Sequence, residues 1–578
     1  MQQKRIYTLL LALALVGIAG NASAQISWTT DITTNTTWNG EYVLENPIFV
    51  KNNATLTIVA GSIIRGQPRS GAVVAGSTVG TPGTIIVTQS GRIVAEGTKG
   101  NGATPGLPII MTTAAVDNVN NTTLLPPGDG IADDVDGNGF EDQWTPGGVF
   151  LDADPKNAPL APLNKAGKAN VALWGGLVIL GNAPTNNANK AGVGYGKATV
   201  EGLTVPGFDP ADATYGGLLP HDNSGRLRFV SIRHAGDEIG EGNELNGLSL
   251  GGVGDGTIIE NIEVYCNFDD GVEWFGGTVN GKNLAVFFAG DDSFDLDEGY
   301  TGVNQFLFGI MPFFNENDGA AYGSASGDKA GEFDGDNYRP DNVALNDNVN
   351  VRLDVTQSVV DTTPWPLSYP VMFNMTLIGS TPDVGQEFTP ASPAATNRGI
   401  QFRNGFAGEV WNSIVLNTGA ETGIEVGSGT GAPGFGVVQN ANPAAALISL
   451  VCSTLDDGAA LGADELNVVA NGNALAITNG GTAPGSNNVV NGAFPNLAKE
   501  DVTFDPTGNG LGKLDSSLKT SPINPRPNAG ITGIAGCPGP RGPGLDSTAT
   551  YRGAFLRTSP ELWTTGWTTL NLAGLLAD

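Results

Sequence analysis

Between Thr257 and Gly309 one pattern is written twice and begun a third time. Asn261-Ile262-x-Val264 recurs 22 positions later as Asn283-Leu284-x-Val286, and on the same step as Gln305-Phe306-x-Phe308. Within the interval, Asp269-Asp270-Gly271-Val272-x-Trp274 recurs as Asp291-Asp292-Ser293-Phe294-x-Leu296, and Gly277 and Gly299 keep the step. A period in the low twenties, made of short alternating apolar pairs punctuated by Gly and Asp, is too short for a helix-turn-helix repeat. It suits a β-solenoid, whose turns lay down short strands that pair with the turns above and below. Residues one period apart then stack at about 4.8 Å. Alternation predicts Ile262, Val264, Leu284, Val286, Phe306 and Phe308 on the inward face. Asn261 and Asn283 are expected at a corner, their amides bonding each other and the freed backbone.

The same texture extends in both directions. Phe49-Val50, Leu56-x-Ile58, Ile63-Ile64, Ile85-x-Val87, Ile93-x-Ala95 and Ile109-x-Met111 predict the first coils, with Gln25 to Tyr42 as a cap over the open end. Val171 to Gly181, Leu227-x-Phe229-Val230-x-Ile232 and Leu248-x-Leu250 lead into the matched pair. Phe373-x-Met375-x-Leu377, Ile400-x-Phe402, Ile414-x-Leu416 and Ile424-x-Val426 follow it. Loops are expected to interrupt the coils at about 115–168, 182–225 and 311–369. The expected solenoid thus spans 25–426, with an irregular continuation and cap over 427–578 and a short helix around Ala444 to Leu455. The chain has 84 Gly and only 15% charged residues, which fits tight turns and long loops, and its glycines lack the three-residue period of collagen.

The runs WGGLVILG, FVSIRHAG, LNGLSLGGVGDGT, DDGVEWFGGTVN and DDSFDLDEGYTG, with the tail Tyr551-Arg-Gly-Ala-Phe555 and Trp563-Thr-Thr-Gly-Trp567-Thr, carry a resemblance. The chain resembles a group of exported bacterial proteins with a right-handed parallel β-helix related in fold to pectin lyases. The likeness covers most of 40–425 and the tail. It implies an all-β chain folded as a single right-handed parallel β-helix, with long loop insertions and end caps. It implies no reaction, because this fold hosts lyases, hydrolases, adhesins and inert surface proteins alike.

Lys4-Arg5, an apolar run from Leu9 to Ala19 and Ala22-Ser23-Ala24 before Gln25 read as a signal peptide over 1–24. No later apolar run is long enough to span a bilayer. The expected location is therefore secreted, periplasmic or at the cell surface. Cys266, Cys452 and Cys537 are an odd set for such a compartment. Cys266 reads as a small core filler, and Cys452 and Cys537 are left as a possible pair.

Net charge is −30, and near −32 once Lys4 and Arg5 leave with the leader, so a nucleic-acid partner is disfavoured. The two histidines, His221 and His234, leave little material for imidazole chemistry. In the loop GDGIADDVDGNGFEDQW, Asp129, Asp133, Asp134, Asp136, Asn138 and Asp142 alternate among glycines. Oxygens in that pattern suit a hard cation, and Ca²⁺ is the expected one. The spacing from Asp134 matches the start of an EF-hand loop, but Thr145 stands where a bidentate Glu belongs.

A second acidic site is formed by Asp269, Asp270 and Glu273 with Asp291, Asp292 and Asp295 one coil on. Such stacked carboxylates share a metal or raise one another's pKa, or they are simply turn formers. Arg233 and Arg403 are candidate bases by residue type, while the Gly-His-Gly and Arg-x-Lys signatures of polygalacturonase-type hydrolases are missing. Two readings follow. One is an exported, non-enzymatic β-helix that presents loops to polysaccharide or cell-surface glycan and is stabilised by calcium. The other is a calcium-assisted polysaccharide lyase.

Overall fold

The computed structural model describes residues 25–69, 81–100, 106–114, 171–186, 196–200, 208–237, 245–311, 329–335, 368–378, 398–403, 406, 408–416, 424–426, 448–451, 454–455, 489–490, 524–526, 539–540, 544–572 and 576. Residues 1–24, expected to be a signal peptide, and the loop Asp129 to Asp142 lie outside the described residues, as do Cys452 and Cys537.

Two large sheets of parallel strands wind around one core. Among the described residues sheet I has nine strands. It runs from Pro47–Val50 through Thr84–Val87, Gly176–Leu180, Leu248–Gly251, Val272–Phe275, Phe294–Asp297, Lys329–Asp334 and Arg398–Arg403 to Ile424–Val426. The larger sheet is bent along its length into two faces, here sheets II and III. In the early coils these are separate strands, such as Thr55–Ile58 on sheet II and Ile63–Gly66 on sheet III. In the middle coils one strand serves both, as in Ile258–Asn267 and Asn280–Ala289. Each coil therefore visits sheets I, II and III in turn, and the architecture is an all-β parallel β-helix.

The bend between sheets II and III is made by one residue per coil. Phe229, Asn261, Asn283, Phe306, Asn374 and Asn412 occupy equivalent places in the ladder. All six have φ between 51° and 62°. This left-handed conformation costs most L-residues about 1–2 kcal/mol, and Asn tolerates it best because its short amide can bond locally. Asn283 Nδ2 donates to Asn261 Oδ1 at 3.0 Å, as the repeat predicted.

Ile262, Val264, Leu284 and Val286 point inward with Trp274 and Leu296, as expected. Phe306 and Phe308 do not. The register pairs Leu284 with Leu307 and Ala285 with Phe308, a step of 23 rather than 22. Residues 298–302 separate the strands Phe294–Asp297 and Val303–Ile310, one residue more than the 276–279 turn of the preceding coil. The longer turn turns Tyr300 inward, where its ring stacks on Trp274 at 5.4 Å and its hydroxyl donates to the Val279 carbonyl at 2.6 Å. With side chains alternating along a strand, a one-residue slip exchanges the two faces. Leu307 joins the core, Phe306 becomes the bend residue, and Phe308 faces outward.

Outside sheet III, Tyr265, Phe287, Phe308, Ile310 and Ile414 form an apolar strip that is buried all the same. Its cover is the C-terminal segment 544–572. Starting beside the later coils, Tyr551 O accepts from Asn374 Nδ2 at 2.6 Å, and Asp546 N donates to Gln305 Oε1 at 2.7 Å. Phe555 meets Phe308 edge-on at 4.9 Å, and Trp563 stacks on Phe555 at 5.5 Å. Further back along the coils Trp567 packs on Phe229 at 5.6 Å, and Lys99 pairs with Glu561 at 3.2 Å. The tail expected to close one end is instead a strap laid along the flank, because the outward aromatics of sheet III must be removed from water.

Three other expectations change. Ile448–Val451 and Thr454–Leu455 continue sheets II and III where a short helix was expected, since their alternation is met by partners one coil back. Lys329–Asp334, placed by the sequence inside a long insertion, is a strand of sheet I paired with Phe294–Asp297 and Arg398–Arg403. Gln25 to Tyr42 contributes strands to the first coils rather than a separate cap. Its rings still close the end, Trp38 stacking on Tyr42 at 4.9 Å with Trp28 edge-on at 5.4 Å. Within 182–225, a short hairpin pairs Ala198–Thr199 with Thr214–Tyr215.

Phe308→Ala should loosen the strap before it harms the coils, because the lost ring bridges Phe287 and Phe555 outside the core. The expected result of limited proteolysis is early cleavage within 544–572, with a destabilisation of about 3–5 kcal/mol. Cleavage of the coils at the same protease concentration as the strap would contradict the assignment.

Candidate functional site

The outer face of sheet I is where the stacked acids meet. Val272, Trp274, Phe294, Leu296 and Phe333 alternate into the core. The residues between them therefore point outward. Ser249, Glu273, Asp295, Glu332 and Gln401 follow one another in register up this face.

The Asp pairs sit in the turn that enters each of these strands. Asp270 N donates to Asn246 Oδ1 at 3.2 Å, Asp292 N to Asp270 Oδ1 at 2.8 Å, and Lys329 N to Asp292 Oδ1 at 2.7 Å. Each side chain thus takes the backbone donor of the next coil, a hydrogen-bonded ladder that explains the repeated Asp at the second position. For Asp270 and Asp292 the turn-forming role is real. Asp270 also faces its neighbours: Asp269, Asp270 and Asp291 form one group, and Asp270, Glu273 and Asp295 another. Within each group the carboxylate oxygens lie within 4.8 Å of one another.

Burial, then the charges of Asp269, Asp295, Glu273 and Asp292, push the Asp270 carboxyl well above the usual range. Glu273 is pushed up likewise by burial, Asp295, Asp269 and Asp297, against a hydrogen bond from Asn246 Nδ2 that favours the carboxylate. Sequence reasoning missed four contributors. Asn246 anchors the first rung. Tyr215, brought by the hairpin, donates its hydroxyl to Glu298 Oε2 at 2.9 Å, and burial with the Glu298, Glu273 and Asp297 charges holds it protonated. Lys329 Nζ lies 2.5 Å from Glu332 Oε2 and 3.6 Å from Asp292 Oδ2. Glu332 continues the Glu273 and Asp295 column, but the insertion before it breaks the 22-residue step that revealed the others.

Arg233 does not belong here. It is buried outside sheet III, where its Nε donates to Ser231 Oγ at 2.8 Å, and Ser231 Oγ donates to Glu263 Oε2 at 2.5 Å. The strap closes over it through Thr569 N, which donates to Glu263 Oε1 at 2.5 Å. Burial pushes the Glu263 carboxyl up and the Arg233 guanidinium down. Arg403 pairs through its backbone with Asp334 on sheet I. Cys266 is a buried free thiol pushed well up by burial, which makes it inert filler, as expected.

Residues 158–450, just over half of the chain, match the family model described as the pectate-lyase-like beta helix domain. The chain belongs to that family. No curated protein and no solved structure matches it. In this pectate-lyase-like beta helix the acids found by their spacing share one face, while the candidate base Arg233 lies outside sheet III. Among the described residues no helix is long and apolar enough to cross a membrane.

The raised carboxyls set a pH dependence. Asp270 and Glu273 keep protons in the folded state that the unfolded chain has already released, so folding is favoured at low pH and loses that advantage as pH rises from about 4 through the folded values. Without divalent cations, the melting temperature of the wild type should fall across that range relative to Asp270→Asn/Glu273→Gln. A wild-type-minus-variant difference that stays flat across that range would show that the two groups titrate normally.

Proposed function

We propose that this pectate-lyase-like β-helix is an exported protein of the cell envelope or surface that binds polysaccharide or cell-surface glycan without cleaving it. The observation that carries the reading is the composition of the outer face of sheet I, where Glu273, Asp295 and Glu332 stack in register beside Asp269 and Asp291. A face so acidic repels a polyuronate unless cations intervene. Calcium fits that role, because clustered carboxylates are the donors it prefers and its flexible coordination tolerates loops such as Asp129 to Asp142. In that case Asp270, Glu273 and Asp295 would hold one ion and Asp269 and Asp291 would share another, each supplying positive charge to a sugar carboxylate. Signal-peptide removal near Ala24 would place the chain where such glycans occur.

The second reading is a calcium-assisted lyase. What favours it is Lys329, an ammonium set among the acids of sheet I. As a base it would have to leave Glu332 and shed its proton. Incubation with a panel of polyuronates, with and without Ca²⁺, separates the two readings. Retention of polymer with no rise in the ultraviolet absorbance of unsaturated product is the expected outcome. An absorbance rise that disappears in Lys329→Ala would establish the lyase instead.

Calcium is also expected to stabilise the fold. An ion bound only by the native state contributes about 2.7 kcal/mol at a hundredfold excess over its dissociation constant. Chelation at fixed ionic strength should lower the melting temperature, Mg²⁺ should restore it poorly, and Asp134→Ala/Asp136→Ala should remove the part due to that loop. Identical melting curves before and after verified metal removal would leave the acids as solvated turns.

A further inference from the structure

A second surface, on sheet II of the later coils, has a different chemistry. The strands Val371–Phe373 and Gly408–Trp411 are neighbours there, with Val371 opposite Glu409 and Phe373 opposite Trp411. Met372 and Val410 point into the core, so the other four face outward. The Phe373 and Trp411 rings lie 6.1 Å apart at 32°. Glu409 uses both of its oxygens to hold aromatic side chains, accepting from Trp411 Nε1 at 2.7 Å and from the Tyr369 hydroxyl at 3.2 Å. Tyr369 is 36% exposed, Glu409 and Trp411 are half-buried, and Phe373 is a buried floor. Burial and the adjoining Glu409 carboxylate raise the Tyr369 hydroxyl to about 12, so it remains a donor at any physiological pH.

We infer that Tyr369, Glu409 and Trp411 form a subsite for a neutral polysaccharide, separate from the acidic face of sheet I. Rigid amphipathic rings present wide apolar area at little entropic cost. The apolar faces of pyranose rings lie against such surfaces. A carboxylate between the rings accepts from the sugar hydroxyls that flank those faces. The charge selects the ligand class. Glu409 is the one acidic side chain among Tyr369, Val371, Phe373, Glu409 and Trp411, and the chain carries a net charge of −30. A polyanion is repelled from this surface, while a neutral glycan meets no such cost. Parallel stacking fixes the spacing between Phe373 and Trp411, so the platform exists before ligand arrives and little ordering is needed on binding.

The inference goes beyond the cation-dependent binding proposed for sheet I, and the two fail separately. Native gel electrophoresis of the full chain through xylan, hydroxyethyl cellulose, laminarin or polygalacturonate, all with excess EDTA, tests it. At least one neutral polymer should retard the wild type while polygalacturonate does not. Trp411→Ala should restore the mobility seen without polymer, and Glu409→Ala should weaken retardation at least tenfold in polymer concentration. Calcium-dependent binding of polyuronate should be unchanged in both variants. Should Trp411→Ala unfold the last coils, Tyr369→Ala alters only an exposed ring and is read in the same way. Failure of every neutral polymer to retard the wild type overturns the inference, as does undiminished retardation of a folded Trp411→Ala or Tyr369→Ala protein.

Discussion

Parallel pairing of each coil with the next is the interaction on which the molecule depends. The sheet I strands of three to six residues could not persist alone, but stacked at about 4.8 Å they satisfy their backbone groups on both sides. Pairing of this kind transmits local choices along the axis. Once Asn261 takes the left-handed conformation that turns the chain from sheet II to sheet III, the residue opposite it in every neighbouring coil must do the same. Asn is the inexpensive solution at four of the six positions. At Phe229 and Phe306 the cost is offset by burial, since those rings lie against Trp567 and Tyr551.

The flank of the helix follows from a single extra residue. The turn at 298–302 advances the register by one, and Phe308 is thereby delivered to the outside next to Phe287. An apolar strip of that kind invites association unless covered. The strap supplies the cover, and in doing so seals Arg233, Ser231 and Glu263 from water. A buried charge pair of this sort adds little net stability, but losing either partner strands the other, which makes the strap's position specific. Arg233, a candidate base by residue type, is thus committed to holding the strap.

Sheet I is arranged by the opposite logic. Asp270 and Asp292 are spent on backbone donors of the following coil, so the turn entering each strand is held by a carboxylate. The remaining acids are brought together because stacking sets like on like, and mutual repulsion with burial raises the carboxyls of Asp270 and Glu273. Repeating a sequence along a solenoid repeats its charges, and the face with the strongest repeat accumulates the strongest field. Protons on the raised carboxyls and the ammonium of Lys329 relieve it.

The sequence by itself determined what is periodic. The 22-residue recurrence of Asn261 and Asn283, and of Asp269-Asp270 and Asp291-Asp292, was enough to establish the parallel β-helix, the inward set Ile262, Val264, Leu284 and Val286, the amide pair at the bend and the convergence of acids on one face. These features are local in the coil, so spacing alone reports them. Tertiary structure decided whatever depends on a count within a turn or on contact between distant segments. The outward turn of Phe308 rests on one inserted residue whose effect appears only when strands are paired. Lys329 and Glu332 join the acidic column across an insertion that breaks the period. The approach of Tyr215 and the return of 544–572 along sheet III have no period at all, because contacts over tens or hundreds of residues are chosen by the burial of surfaces that exist only after the coils have stacked.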